Sequence, residues 1–411
     1  MKNLKKLLAV LVCTIVAYEP SLAAYDVIVD GIGYILDESR STAEVTYRTK
    51  SLVDNNYSGD VIIPAAIISK NKKYIVNSIG DRAFVACENL KTVTIPYSIK
   101  TIDSQAFWMC EGEAIFVSED NPYFSSLEGV LYNKDKTILL QALRNRKGDL
   151  VMPSTVTEIA PAACYRMNKL TSIEFSPKIS VINPNAFGYT PIKEIELPAS
   201  LEVIGKAAFS SCKTLNKVSF QNGSKLKEIE AKAFQYDTKL KEIELPEGLE
   251  SIKESAFDGC SEVEKVIIPA SVTSIEKDAF DVAEKSAQFH CYVRWNNPPE
   301  MTNIFGRYAL KGTLFVPKGT RKAYMSSYPW MNFINIEEYD YSSVDNVYPD
   351  AQPITINGIT IAFPELSGNE TVNIFDTTGK LLYSGTSNVI NLNIKGLVIV
   401  RIGEHTRKII L

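Results

Sequence analysis

Few side chains in this chain do chemistry unaided. It has two histidines, His290 and His405. Neither stands at metal-ligand spacing from another histidine or cysteine. His290 is followed directly by Cys291, and neighbours in a strand face opposite ways, so the two do not converge on one ion. No phosphate loop or dinucleotide glycine fingerprint follows a strand-like stretch, and no G-x-S-x-G elbow presents a nucleophile. No catalytic residue, cofactor site or metal site is predicted. The chain is read as a binding protein, not an enzyme.

Carboxylates do form a pattern. Aligned segments place Ser172 with Glu174, Glu194 with Glu196, Lys217 with Ser219, and Glu242 with Glu244. Thr92 with Thr94 begins this row, and Lys265 with Ile267 ends it. Positions two apart in a strand share one face. Glu174, Glu194, Glu196, Glu242 and Glu244 are therefore expected together on an exposed face, where they would meet a basic protein patch or a cation. Lys193 and Lys241 stand beside them and support the competing reading, a solvated surface that compensates its own charge.

The element that must position these residues is a repeat. "SIGDRAFVACENLKTVTIP" returns as "SIKESAFDGCSEVEKVIIP" with the same residue types in register. The repeat aromatic falls at Phe84, Phe107, Phe187, Phe209, Phe234, Phe257 and Phe280, and Cys164 takes its slot in "IAPAACYRMNKL". The spacings are 23, 57, 23, 22, 25, 23 and 23. A period near 23 lies in the leucine-rich-repeat range of about 20–29 residues. In "LKEIEL" the apolar positions alternate as in a strand with one buried face, and the following proline ends the strand. Ala256 and Phe257 would fill the opposite wall. One coil cannot bury this set alone, so neighbours must stack.

The 57-residue spacing holds an insertion, "IFVSEDNPYFSSLEGVLYNKDKTILLQAL", read as a β-hairpin around "NKDK". Trp108 precedes it, in the slot held elsewhere by Val85, Ser210, Gln235 and Asp258. Polar residues there imply an exposed slot, so Trp108 is a candidate binding aromatic. Cover by the hairpin is the competing reading.

The whole chain sets limits. At 411 residues it is too long for one ordinary core. It is 45% hydrophobic and 22% charged, with a formal charge of −4, which does not suggest a nucleic-acid partner. "MKNLKK" followed by "LLAVLVCTIVA" reads as a signal peptide over residues 1–23, and no later stretch is apolar enough to span a membrane. Export is expected, to the cell surface or the medium, with the periplasm as the alternative. Six cysteines follow: Cys87, Cys110, Cys164, Cys212, Cys260 and Cys291. Four of them lie three residues after a repeat Phe, which points to a ladder of small buried thiols. A Cys87–Cys110 bridge is the competing arrangement.

The domain boundaries follow. Residues 24–74 are expected to form an N-terminal β cap. A repeat array occupies 75–289, with the hairpin insertion at about 111–150. Residues 290–338 form a C-terminal cap, with Trp295, Phe315, Tyr324, Trp330 and Phe333 as cover. A linker at 339–353 leads to a small β-sandwich at 354–411.

The repeats resemble the BspA-like leucine-rich repeats of bacterial surface proteins. The island "NPYFSSLEGVLYNKDKT" and the closing segment "GTLFVPKGTRKAYMSSYPWMNFINIEE" are similar to that family too. Cys164 in place of Phe, and Thr190 in a Cys slot, depart from the pattern. "VNIFDTTGKLLYSG" with "KGLVIVRIG" and "TRKIIL" resembles a type IX secretion sorting domain, with Val398 where an aromatic is usual. The fold expected is a mixed α/β solenoid of short parallel strands. The resemblance implies adhesion through a protein ligand, such as host extracellular matrix or another cell. A glycan-binding accessory protein is the alternative, and it would depend on exposed aromatics such as Trp108, Tyr189 or Tyr236.

Overall fold

The structure is a computed structural model. It describes residues 25–47, 57–284 and 288–340, and residues 355–357, 360–362, 371–376, 380–387, 389–392, 397–402 and 405–410. The predicted signal peptide and nearly all of the predicted linker lie outside the described residues. The chain divides into two compact units, Met1–Ile192 and Lys193–Leu411.

The first unit opens with a mixed sheet of Val27–Val29, Ile32–Asp37, Thr42–Thr46, Lys72–Ile79 and Ala66–Ser69, in that spatial order. Tyr34, Val45, Tyr74 and Val76 bury its inner face. Repeat strands follow in parallel. Gly59–Ile62 pairs with Leu90–Ile95, which pairs with Ala114–Val117. In the insertion, Phe124–Leu127 and Val130–Asn133 pair antiparallel, as do Val130–Asn133 and Ile138–Gln141. Ile138–Gln141 then pairs parallel with Glu158–Ile159, so the last strand of the insertion is itself a rung. Tyr57, Phe84 and Phe107 run in a column, with ring centroids 5.0 and 5.1 Å apart. Cys164 leaves a smaller side chain in its slot, and Phe175 meets Phe187 edge-on at 5.7 Å.

The second unit repeats this design with greater regularity. Glu194–Leu197 pairs with Lys217–Phe220, and Glu242–Glu244 begins a five-stranded parallel sheet that runs to Asn335–Tyr339. A second wall is built from the two-residue strands Val203–Ile204, Glu228–Ile229, Ser251–Ile252 and Ser274–Ile275. Between the walls Phe209, Phe234, Phe257 and Phe280 stack at 5.2–5.4 Å, within 6° of parallel. The column continues to Phe305, 5.9 Å from Phe280. Its preceding residue is Ile304, not Ala, so the A-F spelling hides this rung. Toward the C-terminus, Thr355–Asn357, Thr360–Ala362 and Val389–Asn391 form one antiparallel sheet. A second holds Leu381–Gly385, Val372–Asp376, Leu397–Ile402 and His405–Ile410. Val372, Ile374, Ile390, Leu392, Val398 and Val400 form a buried cluster there.

The expected mixed α/β character needs correction. Among the described residues the one α-helix is Arg321–Tyr324, four residues outside the Phe-bearing turns. Each Phe-bearing segment is a double turn instead. In the rungs of Phe84, Cys164, Phe187, Phe209, Phe234 and Phe257, the residues two before and two after the ladder residue hold φ between 50° and 75°. A helix needs consecutive right-handed residues, so a left-handed residue every four positions breaks it. The turns gain partners from the next rung: Phe209, Phe234 and Phe257 donate their N–H groups to Ala233, Ala256 and Ala279 carbonyls at 2.8–2.9 Å.

Candidate functional site

On the strand face of the second unit, the predicted glutamates lie in two separate sheets, in register with their neighbours inside each. Glu194 lies beside Lys217 and Glu196 beside Ser219; Glu242 lies beside Lys265 and Glu244 beside Ile267. Glu194, Glu196 and Glu242 are exposed, and Glu244 is half-buried. Gln221 donates to Glu196 at 3.1 Å, and the Lys265 ammonium stands 3.6 Å from Glu242. Lys241 does not serve this row. It pairs with Glu264 at 3.1 Å and Glu262 at 3.6 Å. Lys265 and Ile267 are buried, against the expectation that the exposed row reaches them. The reason lies in the next strands, which turn aromatic on this face. Tyr292 and Phe315 stack at 4.5 Å, with Tyr339 edge-on at 5.4 Å and His290 edge-on to Phe315 at 5.5 Å. Alternate positions of "HCYV" and "TLFVP" carried the signal for this change.

Glu174 belongs to the first unit. It is exposed, beside Val151 in the paired strand. Nearby, Ser172 donates to Asp149 at 2.6 Å, as does Thr171, and these hydroxyls hold the Asp149 carboxyl below its usual range.

Trp108 lies on the turn side of the first unit. Tyr165 stacks on it at 5.3 Å and 10°. Tyr189 meets Tyr165 edge-on at 5.6 Å, and the Arg166 guanidinium sits 4.6 Å from the Tyr189 ring centre. Trp108 is 38% exposed and Tyr189 45%. The sequence reading singled out Trp108 and Tyr189 separately and missed Tyr165 and Arg166. A signal was present: Tyr165 occupies the Trp108 slot, and Arg166 occupies the slot of Tyr189, two residues after the ladder position. Tyr236 holds that slot in the second unit and is also exposed.

The thiol ladder is interior. The six described cysteines are at most 1% exposed, and burial pushes the Cys87, Cys110 and Cys164 thiols up to about 12. One Cys slot in the second unit holds Asp237, which is fully buried. Its Oδ1 accepts the Cys212 N–H at 2.7 Å, while Oδ2 is buried without a partner. Desolvation drives its pKa well above the ordinary carboxylate value. A neutral carboxylic acid fits this slot.

Of the aromatics at 290–338, Trp295, Tyr324, Trp330 and Phe333 are buried. Their polar atoms are satisfied by backbone: Trp295 donates to Val272, Trp330 to Pro299 and Tyr324 to Trp295, at 2.7–2.9 Å. Phe315 is half-buried on the strand face. A cleft of about 440 Å³ opens among Glu284, His290, Tyr308, Lys311 and Asn335. Among the described residues, no three His, Cys, Asp or Glu side chains converge as metal ligands would, and no helix is long and apolar enough to cross a membrane.

Residues 65–128 and 147–235 match the family model of the BspA type leucine rich repeat region, in six copies. Among solved structures, the chain is similar to a leucine-rich repeat protein from Eubacterium ventriosum. The identity is 23%, the TM-score 0.46, and the match covers 55% of this chain and 65% of that one. It therefore spans a little under two thirds of that relative. A leucine rich cell surface protein from Faecalibacterium prausnitzii is 20% identical, with 77% of this chain and 95% of that one covered and a TM-score of 0.42. The pneumococcal vaccine antigen PcpA is 16% identical, with 76% and 98% covered and a TM-score of 0.39. No curated protein matches the chain. The family match covers under half of the chain, and the repeat spelling, parallel rungs and Phe columns of this structure agree with it over those residues.

Proposed function

We propose that this chain is an exported binding protein that docks a protein partner at the cell surface or outside the cell. The observation that carries this reading is the strand face of the second unit, where Glu194, Glu196 and Glu242 stand exposed on outward strand positions. Repeat arrays offer such faces to partners because the scaffold holds side chains from successive rungs in fixed positions. A basic patch is the complementary partner chemistry, and host matrix proteins or proteins of other cells are the class to test. The two antiparallel sheets near the C-terminus are proposed to act as a sorting-like domain. A glycan ligand is the second reading, and the exposed Tyr236 favours it.

The test is a pull-down against matrix proteins alongside a glycan array, with the parent chain and the variant Glu194→Lys, Glu196→Lys, Glu242→Lys, Glu244→Lys. Glu194 and Glu196 are exposed, so folding should change by only about 0.5 kcal/mol at each. Glu242 partners the buried Lys265, so its substitution also costs stability, and a melt of the variant accompanies the binding assay. Loss of partner binding, mainly through a slower association rate, is the expected result. A partner bound equally well by the variant at low salt would overturn the acidic face as the site.

A further inference from the structure

We propose that the turn-side cluster of the first unit, Trp108, Tyr165, Tyr189 and Arg166, is a second docking site, which takes an acidic protein segment through a carboxylate on Arg166. This rests on the reading of the chain as a binding protein and adds a surface of opposite charge preference to the glutamate face.

Three observations support it. First, the cluster has the composition of an interface hot spot, in which Trp, Tyr and Arg predominate. Its exposed members, Trp108 and Tyr189, carry large apolar area into water. Second, Arg166 is held in place without a charge partner. Its guanidinium lies 4.6 Å from the centre of Tyr189 and 5.6 Å from that of Tyr165. Among the described residues it makes no ion pair and no side-chain hydrogen bond, and its Nε is buried without an acceptor. The neighbouring Arg144 differs, since it pairs with Glu111 at 2.9 Å and donates to the Met109 carbonyl. A guanidinium fixed against two rings keeps its fork free for a planar carboxylate, with little ordering entropy left to lose on binding. Third, cations outnumber carboxylates in the surrounding sequence: residues 144–169 contain Arg144, Arg146, Lys147, Arg166 and Lys169 against Asp149 and Glu158. Arg144 and Arg146 are paired with Glu111 and Glu128, which leaves Arg166 as the cation of the aromatic cluster without a carboxylate.

The same geometry disfavours a sugar. Carbohydrates stack on open ring faces, but Tyr165 lies flat on one face of Trp108, and Arg166 covers one face of Tyr189. Ring edges and a cationic fork suit an Asp or Glu beside an apolar side chain.

Trp108 makes the site directly readable. The chain has three tryptophans, and Trp295 and Trp330 are buried. Iodide quenching of the exposed tryptophan therefore reports on this cluster. The probe is an array of 12-residue peptides with Asp or Glu next to Leu or Phe, together with copies carrying Lys for the acid. Neutral and carboxylated glycans are assayed in parallel. Acidic peptides should bind, shield Trp108 from iodide and lose affinity as salt rises. Arg166→Gln should weaken them about tenfold with an unchanged melting temperature. Trp108→Ala should weaken them too, and Arg166→Glu should shift preference to the Lys copies. Binding of acidic peptides that ignores Arg166→Gln, or capture of glycans alone, overturns the proposal. If the chain binds a matrix protein through the glutamate face while no acidic peptide binds, this inference fails and the proposed function stands. If no protein or peptide binds at all, both fail.

Discussion

At the residue scale, Asp237 shows most clearly how a repeat slot sets chemistry. Its neighbours in sequence register are thiols, and the slot is fully buried, so a carboxylate there is penalised by desolvation. The folded-state pKa is raised above the unfolded value near 3.9. Its contribution to stability is then complete below pH 4 and is lost as pH rises toward the folded value. Asp237→Asn keeps an acceptor for the Cys212 N–H and stays neutral at every pH. We predict that Asp237→Asn gains on the parent between pH 4 and pH 7 by roughly 1.4 kcal/mol for each unit by which the folded pKa exceeds the unfolded one within that interval, because the parent must hold a proton or bury a charge there and the amide does neither. The two should converge near pH 4. Urea melts at pH 4 and pH 7 check this, and a parent whose stability rises over that interval relative to the variant would show Asp237 to be ionised in the fold.

At the element scale, each rung is a strand, a proline stop, a short second strand and a double turn that carries the ladder Phe. The turn explains why the middle of the motif tolerates Ala, Ser, Lys, Arg, Tyr or Gly at its left-handed positions. Rung-to-rung hydrogen bonds hold a backbone that most side chains avoid. At Gly259, φ is +75°, and an added Cβ would lie 2.3 Å from the Tyr236 ring, so the glycine also makes room for that exposed tyrosine. The Phe column is the main core term. Phe257 is 2% exposed and stacks at 5.2 and 5.4 Å on both neighbours. Phe257→Ala should cost about 3–5 kcal/mol, read from denaturant melts. A loss under about 1 kcal/mol would mean that the ring is not part of a packed interior.

At the scale of the whole molecule, two properties follow from the array. The interior thiols, raised by burial, should not support the fold through a covalent bridge. Reductant is expected to leave the melting temperature unchanged, and in a chain that starts at residue 24 all six cysteines should titrate as thiols in denaturant. Five or fewer would reveal a bridge, with Cys87 and Cys110 the first pair to map. Charged groups stand at both proposed faces, exposed glutamates on the strand face of the second unit and Arg166 in the aromatic cluster of the first. Exposed charges are screened beyond about 8 Å at physiological salt, so association through either face should slow as ionic strength rises.

The repeat spelling by itself determined the period, the strand positions and the Phe and Cys slots that face inward. Burial recurs with the repeat, and apolar residues at fixed steps record it locally. The sequence also placed Glu194, Glu196 and Glu242 outward, because alternation in a short strand is a local property. Three outcomes needed the tertiary structure. The double turn in place of a helix depends on hydrogen bonds donated by the next rung. The Phe305 rung is recognised by stacking on Phe280, since Ile304 removes the A-F spelling. The contact of Trp108 with Tyr165 spans 57 residues and closes only because the last strand of the insertion joins the array as a rung. Sequence periodicity tells which way a side chain faces, but which surface side chains meet depends on the register between rungs, and that register is set by packing.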